Sequence, residues 1–435
     1  MTLSADGWIH GAPLQWTRGR IKNLIASSTN GTWGGEPAED GSDVRCIRAA
    51  DFDRVGRRAK TNGAPLRSID ASSLRQHLLH PGDLILEKSG GGEKQPVGMA
   101  VLYEGEEKAV CSNFCSRISP ASDVESRFLT YVFAAAYGQG LTQSAIKQTT
   151  GIQNLDAGVL FSSPWAYPGL EEQRRIADFL DAETARIDHV SQLRERQKAL
   201  LGARRWSHFQ AELDRIPGGT LPLRRVIRSI IDGPFGSAFS SDAYLDEGAA
   251  VVRLGNIGFA DYRGGDQARI PMALFERFRY HEVKSGDILI AGLGDSRNHA
   301  GRACVAPDDL GAAIVKGKCF RARVEKERAD ANFIALLLSS PVGASAVEGR
   351  GSTRSMINLE IVKSALLPIP SLARQRQLVT VHRKSWRQTK AAMSACDRQM
   401  ALLAERRQAL ITAAVTGQFD VSTASGRNVT DGVTA

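Results

Sequence analysis

The side chains able to do chemistry in this sequence are scattered, and the spacings that catalysis or metal binding would need are missing. Gly311 to Lys318 (GAAIVKGK) has the look of a phosphate-binding loop. It carries one residue too many between its glycines, and Cys319 stands where the Ser or Thr that holds magnesium is required. Lys88 to Gln95 (KSGGGEKQ) offers backbone amides to a phosphate but has no helix signal after it, so it reads as a surface loop. Glu106-Glu107-Lys108 reads as ordinary surface adjacency. The closest of the six cysteines, Cys111 and Cys115, have three residues between them and no His at matching spacing, which predicts reduced core thiols and no metal site. Gly-x-Ser-x-Gly, His-Glu-x-x-His, Gly-x-Gly-x-x-Gly and the Asn/Asp-Pro-Pro tetrad of amino-methyltransferases are all absent. The expectation is a chain that is not an enzyme.

What the sequence does offer is hydrogen-bonding and basic side chains gathered in loops. A first set is Asn30, Trp33, Arg48, Lys88, Lys94, Gln95, Lys147 and Gln148. A second is Arg253, Asn256, Arg297, Asn298, His299, Arg302, Lys316, Lys318, Arg350, Ser352 and Arg354. Arg, Lys, Asn and Gln match the donor and acceptor pattern of guanine and adenine edges in the major groove, which makes both sets candidate DNA contacts.

These loops need scaffolds, and the chain carries one scaffold twice. Gly82-Asp83-Leu84-Ile85-Leu86 returns as Gly286-Asp287-Ile288-Leu289-Ile290, and Ile47-Arg48 returns as Val252-Arg253. Arg20-Ile21 returns as Arg225-Val226, Asn154-Leu155 as Asn358-Leu359, and Pro168 to Arg174 as Pro370 to Arg376, all at offsets of 202 to 205 residues. Five ordered matches at a nearly constant offset are an internal repeat. In both copies, apolar strands alternate with polar Gly-rich loops.

Each lobe leads into a long helix. From Pro168 to Leu213, Ile176, Phe179, Leu180, Ile187, Val190, Leu193, Leu200 and Leu201 recur at three- and four-residue steps, and Pro217-Gly218-Gly219 ends the run. At about 1.5 Å per residue this helix is roughly 65 Å long. The second runs from about Leu372 to Ala414 in two heptad rows: Leu372, Val379, Trp386, Met393, Met400, Arg407 and Ala414, and Gln375, His382, Thr389, Cys396, Leu403 and Leu410. Such a seam pairs with another helix. The predicted fold class is α+β, with two similar mixed α/β lobes separated by a long antiparallel two-helix coiled coil. The boundaries are lobes at 1–167 and 217–369, helices at 168–216 and 370–421, and a disordered tail at 422–435.

The chain has 435 residues, enough for about three domains, and a net charge of +9. The first lobe and the central helix are each neutral and the second lobe is +3, whereas residues 372–414 carry +7. A basic helix suits phosphate or an acidic partner. No stretch has the length and apolarity of a membrane span or a signal peptide, so a cytoplasmic protein without membrane attachment is expected.

The motifs Pro168-Gly-Leu-Glu-Glu-Gln-Arg-Arg-Ile-Ala-Asp-Phe-Leu-Asp, Ile231-Asp-Gly-Pro-Phe-Gly-Ser237, Gly286-Asp-Ile-Leu-Ile290 and Glu405-Arg-Arg-Gln-Ala-Leu-Ile-Thr-Ala-Ala-Val-Thr-Gly417 make the chain resemble a specificity subunit of a Type I restriction–modification system. The resemblance spans nearly the whole sequence. It implies that each lobe is a target-recognition domain reading one half of a bipartite, asymmetric double-stranded DNA site, and that the paired helices fix the gap. It also implies docking of two methyltransferase (modification) subunits and, through them, restriction/translocase subunits. S-adenosylmethionine, ATP and magnesium would then sit on those partners, and this chain would bind none. Two departures stand out: Ala373-Arg374-Gln375 lacks the double acid of Glu171-Glu172, and nothing near Asn30 matches Asp232-Gly-Pro-Phe-Gly236. A coiled-coil scaffold with two protein-binding lobes is the alternative, separable by testing for sequence-dependent duplex binding.

Overall fold

Leu84-Ile85-Leu86 and Ile288-Leu289-Ile290 are unbroken apolar runs, and each becomes a central strand with a core on both faces. In a computed structural model of the chain, residues 11–39, 41–92, 95–149, 152–217, 219–234, 244–265, 267–348 and 356–423 are described. Of the tail expected from residue 422, only 422 and 423 fall among them. Because successive strand side chains point to opposite faces, Leu84 and Leu86 enter one core of the first lobe and Ile85 enters the other. Ile288 and Ile290 are divided from Leu289 in the same way.

The strands of the first lobe are β1 (Ile25–Asn30), β2 (Val44–Ile47), β3 (Leu84–Glu87), β4 (Ala100–Leu102), β5 (Ala109–Cys111) and β6 (Cys115–Pro120), followed by helix α1 (Ser126–Gly138). The antiparallel sheet runs β1-β6-β3-β4 and extends onto two short strands, while β5 pairs in parallel with β2 in a second, small sheet. After helix α2 (Leu170–Asp214), the second lobe has β7 (Ile227–Asp232), β8 (Ala249–Val252), β9 (Ile288–Ala291), β10 (Ala303–Val305), β11 (Ala313–Val315), β12 (Cys319–Val324) and helix α3 (Ala331–Ser339). Here the sheet runs β7-β12-β9-β10, and β11 pairs in parallel with β8. The repeat seen in the sequence is therefore a repeat of topology, strand for strand.

The repeated motifs have identifiable jobs. Gly82 and Gly286 sit at φ of +97° and +83°, which glycine adopts without strain, and turn the chain into β3 and β9. The aspartate that follows is buried. Asp83 accepts from the His80 amide at 2.8 Å and the Ser119 hydroxyl at 2.7 Å. Asp287 accepts from the Lys284 amide at 2.9 Å and from Arg323 through Nε at 2.7 Å and Nη2 at 3.0 Å. Each lobe is closed by pairing its first and last strands, Thr17–Arg20 with Pro164–Tyr167 and Leu221–Pro222 with Leu366–Leu367, which delivers the chain to its long helix.

The second long helix, α4, spans Leu372–Val415. The chain divides into two units, one of residues up to Arg194 together with those from Asp397, the other Glu195–Cys396. In the first unit the start of α2 (Ile176, Ala177, Leu180) shares a core with the end of α4 (Leu410, Ile411, Ala414, Val415) and with α1. In the second, the end of α2 (Phe209, Leu213) packs with the start of α4 (Leu378, Val379) and with α3. The pairing is antiparallel in both. All thirteen residues of the α4 heptad rows are buried or half-buried, as the seam predicted. On α2, by contrast, Leu193 and Leu200 are exposed although they follow the apolar period.

Both helices begin with the same clamp. Gln173 and Gln375 are buried; Gln173 Nε2 donates to Pro168 O at 2.9 Å and Asp123 O at 3.3 Å, and its Oε1 accepts from the Glu125 amide at 3.0 Å. Gln375 repeats this with Pro370 O (2.8 Å), Arg328 O (2.9 Å) and the Asp330 amide (2.9 Å). One side chain thus ties each long helix to the segment that starts α1 or α3.

Candidate nucleic-acid interface

In the second lobe the parallel pair β8 and β11 ends on one side, and the next residues in the chain are Arg253 and Lys316. A depression of about 570 Å³ opens there, lined by Arg253, Asn256, Arg263 and Lys316 among others. A second, of about 710 Å³, shares Lys316 and Gly317 and adds Lys318, Asp232, Phe320 and Asn358. Gly233 crosses this rim so closely that a Cβ would lie 2.3 Å from the carbonyl carbon of Lys316. The Lys316 ammonium donates to the Tyr244 hydroxyl at 2.6 Å and lies 5.2 Å from that ring's centre. Arg263 and Lys318 are exposed.

The remaining second-lobe candidates fall into two groups. Arg297 is exposed on a turn whose Asp295 carboxylate accepts from the Arg297 amide at 2.7 Å and the Asn298 amide at 2.8 Å. Those bonds, the Arg297 amide first, hold Asp295 below the usual carboxylate range. Asn298 also spends its side-chain amide on Asp295. Arg302, by contrast, is only 4% exposed and donates to four backbone carbonyls, those of Leu254, Ile257, Leu293 and His299. Burial lowers its pKa. Arg302 is a strut between loops.

Asn256 is equally buried; its Oδ1 accepts from the Arg253 amide at 2.9 Å and its Nδ2 donates to Arg263 O at 2.9 Å, so it shapes the loop that presents those two arginines. His299 is held between Ala300 O and Ser339 O and against Phe259. Arg302, Asn256 and His299 thus have their polar atoms committed inside the lobe, which suits a supporting role better than direct contact. Arg350, Ser352 and Arg354 lie outside the described residues.

In the first lobe Arg48 follows β2 at the place Arg253 has after β8, and its guanidinium grips Asp51 through Nε and Nη2, both at 2.9 Å. Lys88 Nζ donates to Asn30 Oδ1 at 2.7 Å at the exposed end of β1. A depression of about 630 Å³ is lined by Ala49, Phe52, Arg54, Glu87, Gly91 and Gln95 among others. Arg54 bridges Glu87 at 3.1 Å and faces the Gln95 side-chain amide. Trp33 is half-buried under the Arg67 guanidinium, 4.2 Å from the ring centre, and packs on β2 and β5. Lys147 is exposed and pairs with Asp156 at 2.7 Å. Gln148 lies in the strand Ile146–Thr149, its side chain outside what is described, and Lys94 is outside it altogether.

Sequence reasoning passed over Arg263, Tyr244 and Arg54. A basic residue directly before Gly264-Gly265 was the signal available for Arg263. It also passed over Gly31. This residue donates to Cys115 O at 2.9 Å as Gly233 does to Cys319 O at 3.0 Å, and its Cβ would lie 2.2 Å from Ser112 O. The first lobe's counterpart of Asp-Gly-Pro-Phe-Gly is this one glycine.

No group of His, Cys, Asp or Glu among the described residues could hold a metal ion. All six cysteines are free and buried; burial pushes Cys46 up to about 11 and Cys115, Cys304 and Cys319 up to about 12. No described helix is long and apolar enough to cross a membrane. What the geometry offers is exposed cations and amides on a rigid strand rim, suited to phosphates and base edges.

Comparison with known families bears on the first lobe and the start of α2. Residues 66–196, from the strand Leu66–Arg67 into α2, match the family model of the Type I restriction modification DNA specificity domain. The resemblance drawn from the sequence to Type I specificity subunits stands with it. Among solved structures, a chain from a study of complex assembly and conformational transition in a type I R-M system aligns with a TM-score of 0.68 at 19% identity, covering 94% of this chain and 99% of that one. The HsdS subunit from Thermoanaerobacter tengcongensis aligns over 94% of this chain and 98% of its own at 17% identity and a TM-score of 0.47. No curated protein matches the sequence.

Proposed function

We propose that this chain is the DNA sequence-recognition subunit of a Type I restriction–modification system, each lobe reading one half of a bipartite duplex target. The observation that carries this reading is the repeated rim. In both lobes a parallel strand pair ends in a loop with an arginine at its root, beside a glycine that lets the neighbouring chain pass, on a chain whose residues 66–196 match a DNA specificity domain. In the second lobe Arg253, Arg263, Arg297, Lys316 and Lys318 reach the DNA, and in the first Asn30, Arg48, Lys88 and Gln95. Lys94, Gln148, Arg350, Ser352 and Arg354 remain assigned to the same surfaces. Phosphate contacts set register and the amide and guanidinium groups discriminate bases. Residues 1–167 and 217–369 are the readers. Helices 168–216 and 370–421 hold them at one separation, where flexible linkers would blur the spacing.

The chain supplies recognition only. Two methyltransferase subunits dock on it with S-adenosylmethionine, and restriction subunits follow with ATP and magnesium. The complex of this chain with its methyltransferase subunits should bind a duplex carrying both half-sites far more tightly than one with either half scrambled. Lys316→Ala should cost about 1–3 kcal/mol and relax one half-site if the contact is to a base. Equal affinity for scrambled and intact duplexes would refute the reading.

A further inference from the structure

The two lobes sit on their helices through the same mechanical contacts but with opposite charge. Each lobe is bolted by an arginine from the helix that ends beside it: Arg407 Nη2 donates to Val55 O and Arg205 Nη2 to Phe259 O, both at 2.6 Å. These arginines occupy equivalent repeat positions, as do Gln173 and Gln375 in the clamps. Shape therefore does not tell one lobe's seat from the other's.

Charge does. In the first unit the starting turns of α2 present Glu172, Asp178, Asp181 and Asp188; the repeat places Arg374, Thr380, Arg383 and Lys390 at the same positions on α4. The first lobe answers its acidic face with Arg127, which bridges Asp178 at 2.8 Å and Asp181 at 2.9 Å, with Tyr131 donating to Asp181 at 2.6 Å. Arg407 itself bridges Asp188 at 3.3 Å, and Arg57, in the loop that Arg407 grips, lies within range of both the Arg407 and the Asp188 charges. The second lobe has Asp261 in place of Arg57 and Asn332, an uncharged acceptor, in place of Arg127; Arg383 donates to the Asn332 side chain, and Asp261 pairs with Lys390 at 2.9 Å. At the missing double acid, Glu172 accepts from the Trp16 indole at 3.0 Å whereas Arg374 pairs with Glu212 of α2 at 2.7 Å.

We propose that this reversed polarity is a pairing code that assigns each lobe to its own helix start and prevents lobes from seating on the wrong helix of a second copy of the chain. A first lobe on α4 would set Arg57 and Arg127 beside Arg383 and Lys390. A second lobe on α2 would set Asp261 beside Asp181 and Asp188. Like charges brought together at a contact disfavour the wrong partner more than they weaken the right one. The code keeps one copy of each reader per chain, and it rests on the fold and not on the DNA-reading role.

The test uses the full-length chain and its mass by light scattering over a concentration series. Exchanging the helix faces (Asp181→Arg, Asp188→Lys, Arg383→Asp, Lys390→Asp) should produce larger, concentration-dependent species as lobes seek the matching helix of another copy. Adding the lobe changes Arg57→Asp, Arg127→Asn, Asp261→Arg and Asn332→Arg should restore the parent mass. An exchanged chain with the parent's mass at every concentration overturns the proposal, and so does a compensated chain that fails to recover it.

Discussion

His382 lies on the α4 seam, 7% exposed, stacked on the Trp206 ring at 5.6 Å and edge-on to Phe209 at 5.5 Å. Burial, reinforced by Arg205 and then His208, pulls its pKa down to about 4. The unfolded chain takes up this proton near pH 6.5 and the folded chain near 4. Stability is therefore complete above about 6.5 and is lost as pH falls toward 4, by roughly 3 kcal/mol from this site. Urea unfolding between pH 7 and 4 should show that slope, and His382→Phe should flatten it. The glutamine clamps are the other single-residue test. Gln173→Ala and Gln375→Ala each leave buried amides and carbonyls unmatched, and each should lower unfolding free energy by about 1–3 kcal/mol. Gln→Glu should not rescue, because a carboxylate cannot donate to Pro168 O or Pro370 O.

At the scale of elements, the rim depends on close crossings of backbone. Gly233→Ala would drive a methyl into the Lys316 carbonyl, so the loop after β11 must shift. Recognition of the half-site read by the second lobe should weaken while the other half-site is read as before, measurable on duplexes with either half scrambled. Gly31→Ala should do the converse. These elements were largely legible in the sequence, because unbroken apolar runs and the Gly-Asp turn mark buried strands directly. What the sequence hid was the fate of polar side chains. Arg302 and Asn256 have the residue types of base readers, yet their hydrogen bonds go to carbonyls and amides brought close only by the folded loops. Arg263 owes its position to Asn256, a dependence that no local pattern announces.

For the whole molecule, the repeat was the most informative signal, since one offset of about 204 residues carries topology, turn, clamp and bolt together. The seam on α4 was readable because heptad spacing survives polar residues. The assignment of lobe to helix was not, because it lies in the signs of charges at equivalent positions. The central claim is that two readers are held at one separation by paired helices. Methylation mapping in cells supplying the partner subunits tests it most directly, comparing the parent chain with one lengthened by a matched heptad in α2 and α4. A heptad adds about 10 Å of helix, on the order of three base pairs. The prediction is a bipartite motif that requires this chain, with both half-sites unchanged and a longer gap in the lengthened form. Altered half-site bases with an unaltered gap, or methylation indifferent to the chain, would contradict it.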